Sequence, residues 1–138
     1  MPDAFEKGLA RKTANVFGYA ARMGYSPVEF TRLWYNSETA WSLYNFDFNS
    51  IAQSYYYQFN SLEMELKLSH KEGCIDERYP DVMFWVGYIF TYWMYLDGIS
   101  WQDIENKYDV PRIINAYDTL HTLSTEGSIR VIKEDFKK

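Results

Sequence analysis

The chain holds one cysteine, Cys74, in 138 residues. A lone thiol excludes an internal disulfide framework and any zinc site built from several cysteines, and it fits a reducing compartment. Basic charge is also short: 14 Lys and Arg face 19 Asp and Glu, a net charge of −5 with both histidines neutral. That balance argues against a protein held on nucleic acid or an anionic membrane by bulk charge. Glycine and proline are few, seven and four, and they sit at separate boundaries rather than in a linker. No repeat, low-complexity tract, alternating strand pattern or Asn-Gly hairpin signal is present. Long apolar runs are missing too. The stretch from Val82 to Leu96 is uncharged, but its length of about 15 residues falls short of a bilayer span, and acids rather than bases flank it. The opening Met-Pro-Asp-Ala-Phe-Glu-Lys has no apolar run behind a basic head. No secretory signal is therefore expected, and the expected location is cytoplasmic.

What the chain has in surplus is aromatic side chains. Five Trp, 13 Tyr and nine Phe make 20% of it, within a globular composition of 47% hydrophobic and 24% charged residues. The length suits one domain, residues 1–138, with a single core. Tyr and Trp bury a ring while keeping a polar tip wet, so the surplus serves either a core or a binding surface.

The periodicity is helical almost throughout. A first helix is expected over about residues 3–23, where Phe5, Leu9, Val16, Ala20 and Met23 share a stripe on which Lys12 also projects. Gly24 ends it, and Ser26-Pro27-Val28-Glu29 forms a capping box with proline at the first helical position. Phe30, Leu33 and Trp34 follow at i, i+3, i+4. Ser37 caps a short helix in which Ala40, Leu43 and Tyr44 repeat the spacing, and Asn45 to Asn49 forms a connector. A long helix is then expected over about residues 50–68. Ile51, Tyr55, Phe59, Leu62 and Leu66 form one stripe, with Tyr57, Met64 and Leu68 about opposite. Such a helix is sandwiched in the fold or offers its second side to a partner, and sandwiching is the expectation.

After a polar loop from Ser69 to Pro80, residues 82–96 form the central helix. Gly87 and Thr91, one turn apart, allow a neighbouring helix to approach closely. Ser100 caps a helix over residues 101–108, another starts near Pro111, and Ser124 or Thr125 caps the last, where Ile129, Ile132 and Phe136 share a face. The expected fold is all-α: a single compact bundle of about seven helices around the aromatic-rich central one.

No constellation points to catalysis. His70, Cys74, Asp76 and Glu77 lie close in sequence, but they are one His and one Cys with surface acids, no second His or Cys pair is near, and a polar loop accounts for them. Cys74 with His70 or His121 lacks an orienting third group and an oxyanion site. There is no phosphate-cradling glycine loop, no Gly-x-Ser-x-Gly and no His-Glu-x-x-His. No catalytic residue, metal or cofactor is expected. His121, which shares a helix face with Ile114 and Tyr117, is expected to be a structural histidine at a helix C-terminus.

Ser100 to Tyr117 has the outline of a helix-turn-helix, with Ile104 and Val110 at its apolar positions, and it gives an alternative reading as a DNA-binding regulator. Arg112 and Asn115 would be the groove contacts. Asp103, Glu105, Asp109 and Asp118 would repel phosphates, so nucleic acid is the lesser expectation.

Two segments carry a resemblance. Phe84-Trp85-Val86-Gly87-Tyr88-Ile89-Phe90-Thr91-Tyr92-Trp93, followed by Gly98-Ile99-Ser100, resembles the central signature of a family of small uncharacterised all-α bacterial proteins. Tyr117-Asp118-Thr119-Leu120-His121-Thr122-Leu123, with Ile129 and Ile132, resembles that family's tail. Ser37-Glu38-Thr39-Ala40 with Leu43, and Ser54 with Tyr56, match upstream. The family pattern has a basic residue where Thr91 stands, so a role tied to that charge does not transfer. The resemblance implies a protein encoded beside a bacterial toxin, in some cases ADP-ribosyltransferase-like, and acting as its antitoxin.

Negative charge, surplus Tyr and Trp, a two-faced helix and the absence of catalytic motifs lead independently to an interaction module. Its expected partner is a toxin-like protein, with a homo-oligomer as the other arrangement. Tyr55, Tyr56, Tyr57, Met64 and Trp101 are the expected contacts, because large aromatics dominate binding hot spots.

Overall fold

Side chains cap the starts of most helices in the computed structural model, which describes residues 1–138. Asp3 accepts from the Glu6 N–H at 2.8 Å and the Glu6 carboxylate accepts from the Asp3 N–H at 3.0 Å, opening α1 (Ala4–Arg22). Gly24 ends the turn that follows at φ +92°, and a Cβ there would stand 2.6 Å from the Lys71 carbonyl oxygen, so both backbone and space demand glycine. Ser26, Pro27 and Glu29 open α2 (Pro27–Tyr35) as the sequence predicts. Ser37 caps α3 (Glu38–Tyr44), and Asp47 caps a single turn, α4 (Phe48–Ile51).

Here the expected helix over residues 50–68 divides. The Lys12 ammonium donates to the carbonyls of Ile51 (2.6 Å) and Gln53 (2.8 Å), and the Gln58 amide donates to that of Ser50. Acceptors that a continuous helix would pair internally are thus served by side chains. The helix restarts at the Ser54 cap as α5 (Tyr55–Leu66). The place of Lys12 on an apolar stripe is explained by the same contact. Burial of its ammonium pulls the Lys12 pKa below the usual lysine value.

The central helix α6 (Tyr79–Asp97) is longer than residues 82–96 because Pro80 is tolerated in a first turn, and Gly98 stops it in the left-handed region at φ +63°. Four further helices complete the chain: α7 (Trp101–Lys107), α8 (Val110–Asn115), α9 (Tyr117–Leu120) and α10 (Thr125–Asp135). The fold is all-α, with ten helices rather than about seven; α4 and α9 are single turns separated from longer expected helices. No helix is long and apolar enough to cross a membrane.

One core runs through the molecule, and α6 is its spine, packed most extensively against α1. The close approach falls at Gly87, where a Cβ would lie 2.9 Å from the Phe17 ring and 3.0 Å from the Thr13 carbonyl oxygen. The chain's end is tied back to the α7–α8 junction: the Asp109 N–H donates to Phe136, and the Lys138 N–H to Lys107, each at 2.9 Å.

Candidate functional site

The three tyrosines opening α5 divide between core and solvent. Tyr55 is half-buried and stacks on Tyr56 (4.7 Å between centroids), and Tyr19 from α1 stands edge-on to both. Tyr56 and Tyr57 are each about half exposed, and Met64 is 80% exposed. Phe59 and Leu62, on the other stripe, are fully buried. The helix is therefore not sandwiched: one side joins the core, and Tyr57 and Met64, seven residues apart, stand in water on the other.

Trp101 belongs to the interior, contrary to the expected surface role. It is 3% exposed, stacked on Tyr35 and edge-on to Phe90, and its indole N–H donates to the Glu105 carboxylate at 3.0 Å. As the first residue of α7 it is swung inward against rings from α2 and α6. A Trp needs both ring cover and a partner for its N–H, and both are present there.

Tyr35 and Trp101 form one wall of a cleft of about 560 Å³, within the size range of ligand pockets. Its other wall is Tyr44 stacked on Tyr95, with centroids 4.2 Å apart and planes 10° from parallel. The Tyr95 hydroxyl donates to the Tyr44 carbonyl at 2.8 Å, and the Tyr35 hydroxyl bonds the Gly87 carbonyl (3.1 Å) and Thr91 Oγ1 (2.8 Å). Burial pushes the pKa of Tyr35 and Tyr95 above the usual tyrosine value, and for Tyr95 the neighbouring Tyr44 and Glu6 add to it. Both stay neutral, and both hydroxyls are already bonded. The lining has one carboxylate, Glu38, and no Lys, Arg or His. The cleft thus offers aromatic, weakly anionic recognition.

Large exposed side chains lie on the cleft and along the neighbouring chain; Trp41, Phe46 and Phe48 were not singled out in the sequence, and Phe5, expected on the buried stripe of the first helix, stands half in solvent. Trp41 lines the cleft and is 68% exposed, Phe48 is 77% exposed, and Phe5 and Phe46 are about half exposed. Phe46 meets Phe5 edge-on at 5.1 Å and lies 6.1 Å from Tyr95, so aromatic surface continues out of the cleft. Phe46 also has a left-handed backbone (φ +66°) just after α3, where glycine normally stands. A signal was available: Trp41 falls off the stripe of Ala40, Leu43 and Tyr44, and Phe46 and Phe48 sit in an otherwise polar connector.

In the helix-turn-helix unit, Arg112 is exposed but engaged within the chain. The Arg112 guanidinium lies 4.5 Å over the Phe136 ring and donates to the Asp135 carbonyl at 3.0 Å, binding the end of α10. The would-be recognition helix α8 has six residues, of which Ile113 and Ile114 are core and Asn115 is exposed. In the polar loop, His70 Nδ1 contacts the Glu63 carboxylate (2.8 Å) and Cys74 is exposed. No group of three His, Cys, Asp or Glu side chains converges there or elsewhere. His121 is exposed, stacks on Tyr117 and donates from Nδ1 to the Tyr117 carbonyl at 2.6 Å.

No protein-family model matches this chain, and no curated protein or solved structure is significantly similar to it.

Proposed function

We propose that this protein is a non-catalytic interaction module that docks a protein partner on the aromatic surface of α3, α4 and α5, as an antitoxin covers its toxin. The observation that carries the reading is the concentration of exposed large apolar side chains in one stretch. Trp41, Phe46, Phe48, Tyr56, Tyr57 and Met64 all stand in solvent between residues 41 and 64, and Phe5 abuts them through Phe46. Large apolar side chains exposed this close together along the chain favour a surface that a partner covers. The net charge of −5 favours a basic partner surface, such as a nucleotide- or nucleic-acid-binding site, and speeds its encounter. The antitoxin role rests on the family resemblance in addition to this surface.

The test is capture from the source lysate with the parent protein and two exposed-site double variants, Trp41→Ser with Phe48→Ser and Tyr57→Ala with Met64→Ala. The expected result is a stoichiometric partner held by the parent and lost from at least one double variant at unchanged helicity. That partner, expressed alone, should arrest growth, and the parent protein should relieve the arrest. A bare chain, or a partner retained by both variants, overturns the docking surface. A partner harmless to growth removes the antitoxin role and leaves the module.

A further inference from the structure

A second aromatic hollow, of about 260 Å³, lies where the first half of α6 meets α9. Asp81, Phe84, Trp85 and Tyr88 line it from α6 at i, i+3, i+4 and i+7, hence from one side of that helix. Tyr117 and His121 complete it. Trp85 and Tyr117 stand edge to face, centroids 5.7 Å apart and planes 75° from parallel, while the His121 ring lies flat on Tyr117 at 4.2 Å. Phe84 and Asp81 are exposed, and Trp85, Tyr88 and Tyr117 are half-buried, so the rings are reachable from solvent. No Lys, Arg or aliphatic side chain contributes to the lining, and the nearby Arg78 is paired with Asp118.

Ring faces carry partial negative charge, and walls at a steep angle present more than one face to a single occupant. A carboxylate at the edge adds a full negative charge. A primary ammonium is held chiefly through hydrogen bonds, which only the Asp81 carboxylate and the Tyr88 and Tyr117 hydroxyls would accept, and it leaves the ring faces of the lining little used. A methylated ammonium needs no hydrogen bond, and its methyl groups pack on rings. No strand edge borders the hollow to hold an extended peptide. The geometry points to a site for a small quaternary ammonium compound, its head among Phe84, Trp85, Tyr88 and Tyr117 and its charge balanced by Asp81. This site is independent of the docking surface on α3–α5.

The experiment is an NMR titration of the full chain with choline, following the Trp85 indole N–H. The comparison ligand is 3,3-dimethylbutan-1-ol, which has the same shape without the charge. Choline should shift the Trp85 resonance and bind about tenfold more tightly than the alcohol. Asp81→Asn, an exposed substitution, should weaken choline several-fold and leave the alcohol unchanged. Tyr117→Phe should retain binding and Tyr117→Ala should lose it, with thermal unfolding confirming that each variant is folded. Equal affinity for the two ligands, or no choline-dependent shift at millimolar concentration, overturns the site. A trimethyllysine peptide binding tenfold more tightly than choline overturns the assignment to a small molecule.

Discussion

Tyr35 and Trp101 lie face to face, their ring centroids 4.6 Å apart and their planes 16° from parallel. The pair joins α2 to α7 across 66 residues of chain and forms a wall of the large cleft while itself being almost wholly buried. Trp101→Ala should therefore act on stability first. Removing a buried indole from a packed stack costs about 3–5 kcal/mol. Chemical denaturation should show a lower midpoint at unchanged slope.

Gly87 and Gly8 both lie inside helices, where alanine is intrinsically favoured by about 1 kcal/mol. A Cβ at Gly8 meets nothing within 4 Å, so Gly8→Ala should raise the midpoint of thermal unfolding. Gly87→Ala should lower it by the equivalent of about 1–3 kcal/mol, since the new methyl would press on the Phe17 ring and the Thr13 carbonyl between α1 and α6. Opposite signs for one chemical change isolate the helix contact from helix propensity.

Glu65 of α5 serves the start of α3. Its carboxylate accepts from the Glu38 N–H (2.8 Å), the Thr39 N–H (2.9 Å) and the Thr39 hydroxyl (2.7 Å). Burial pushes its pKa up, but these donors outweigh it and hold the group below the usual glutamate value. A depressed carboxyl contributes stability above its unfolded pKa, near 4.3, and loses it as pH falls through the lower folded value. Glu65→Ala should cost about 1 kcal/mol at neutral pH and flatten the acid limb of a stability–pH curve.

Alkaline pH should act through the tyrosines. Burial, then the hydrogen bond to the Glu126 carboxylate (2.8 Å), pushes Tyr92 up to about 12. Burial also raises Tyr35, Tyr25 and Tyr95, reinforced for Tyr25 by its bond to Glu63. A raised folded pKa gives stability that is complete below the unfolded value of about 10 and is lost as pH climbs through the folded one. Denaturation midpoints should decline above pH 10, and Tyr92→Phe should make the decline shallower.

Helix boundaries were legible in the sequence wherever a contact is local. The caps at Ser26, Ser37, Ser100 and Ser124 and the stops at Gly24 and Gly98 involve groups within a few residues of each other, so spacing reveals them. The spine helix and the small Gly87 face were legible for the same reason.

Which rings meet water was not. Trp41 and Trp101 both stand in seven-residue, serine-capped helices, yet one is 68% exposed and the other 3%. Tyr35 and Phe90, brought from α2 and α6, cover Trp101; no comparable cover reaches Trp41. The break before α5 was decided equally far away, by Lys12 reaching carbonyls 39 and 41 residues along the chain. The sequence by itself determined an all-helical chain, where most of its helices begin and end, and which residues share a face. Only the tertiary structure decided which faces are covered, because helical periodicity is a property of neighbours and burial is a property of pairs far apart.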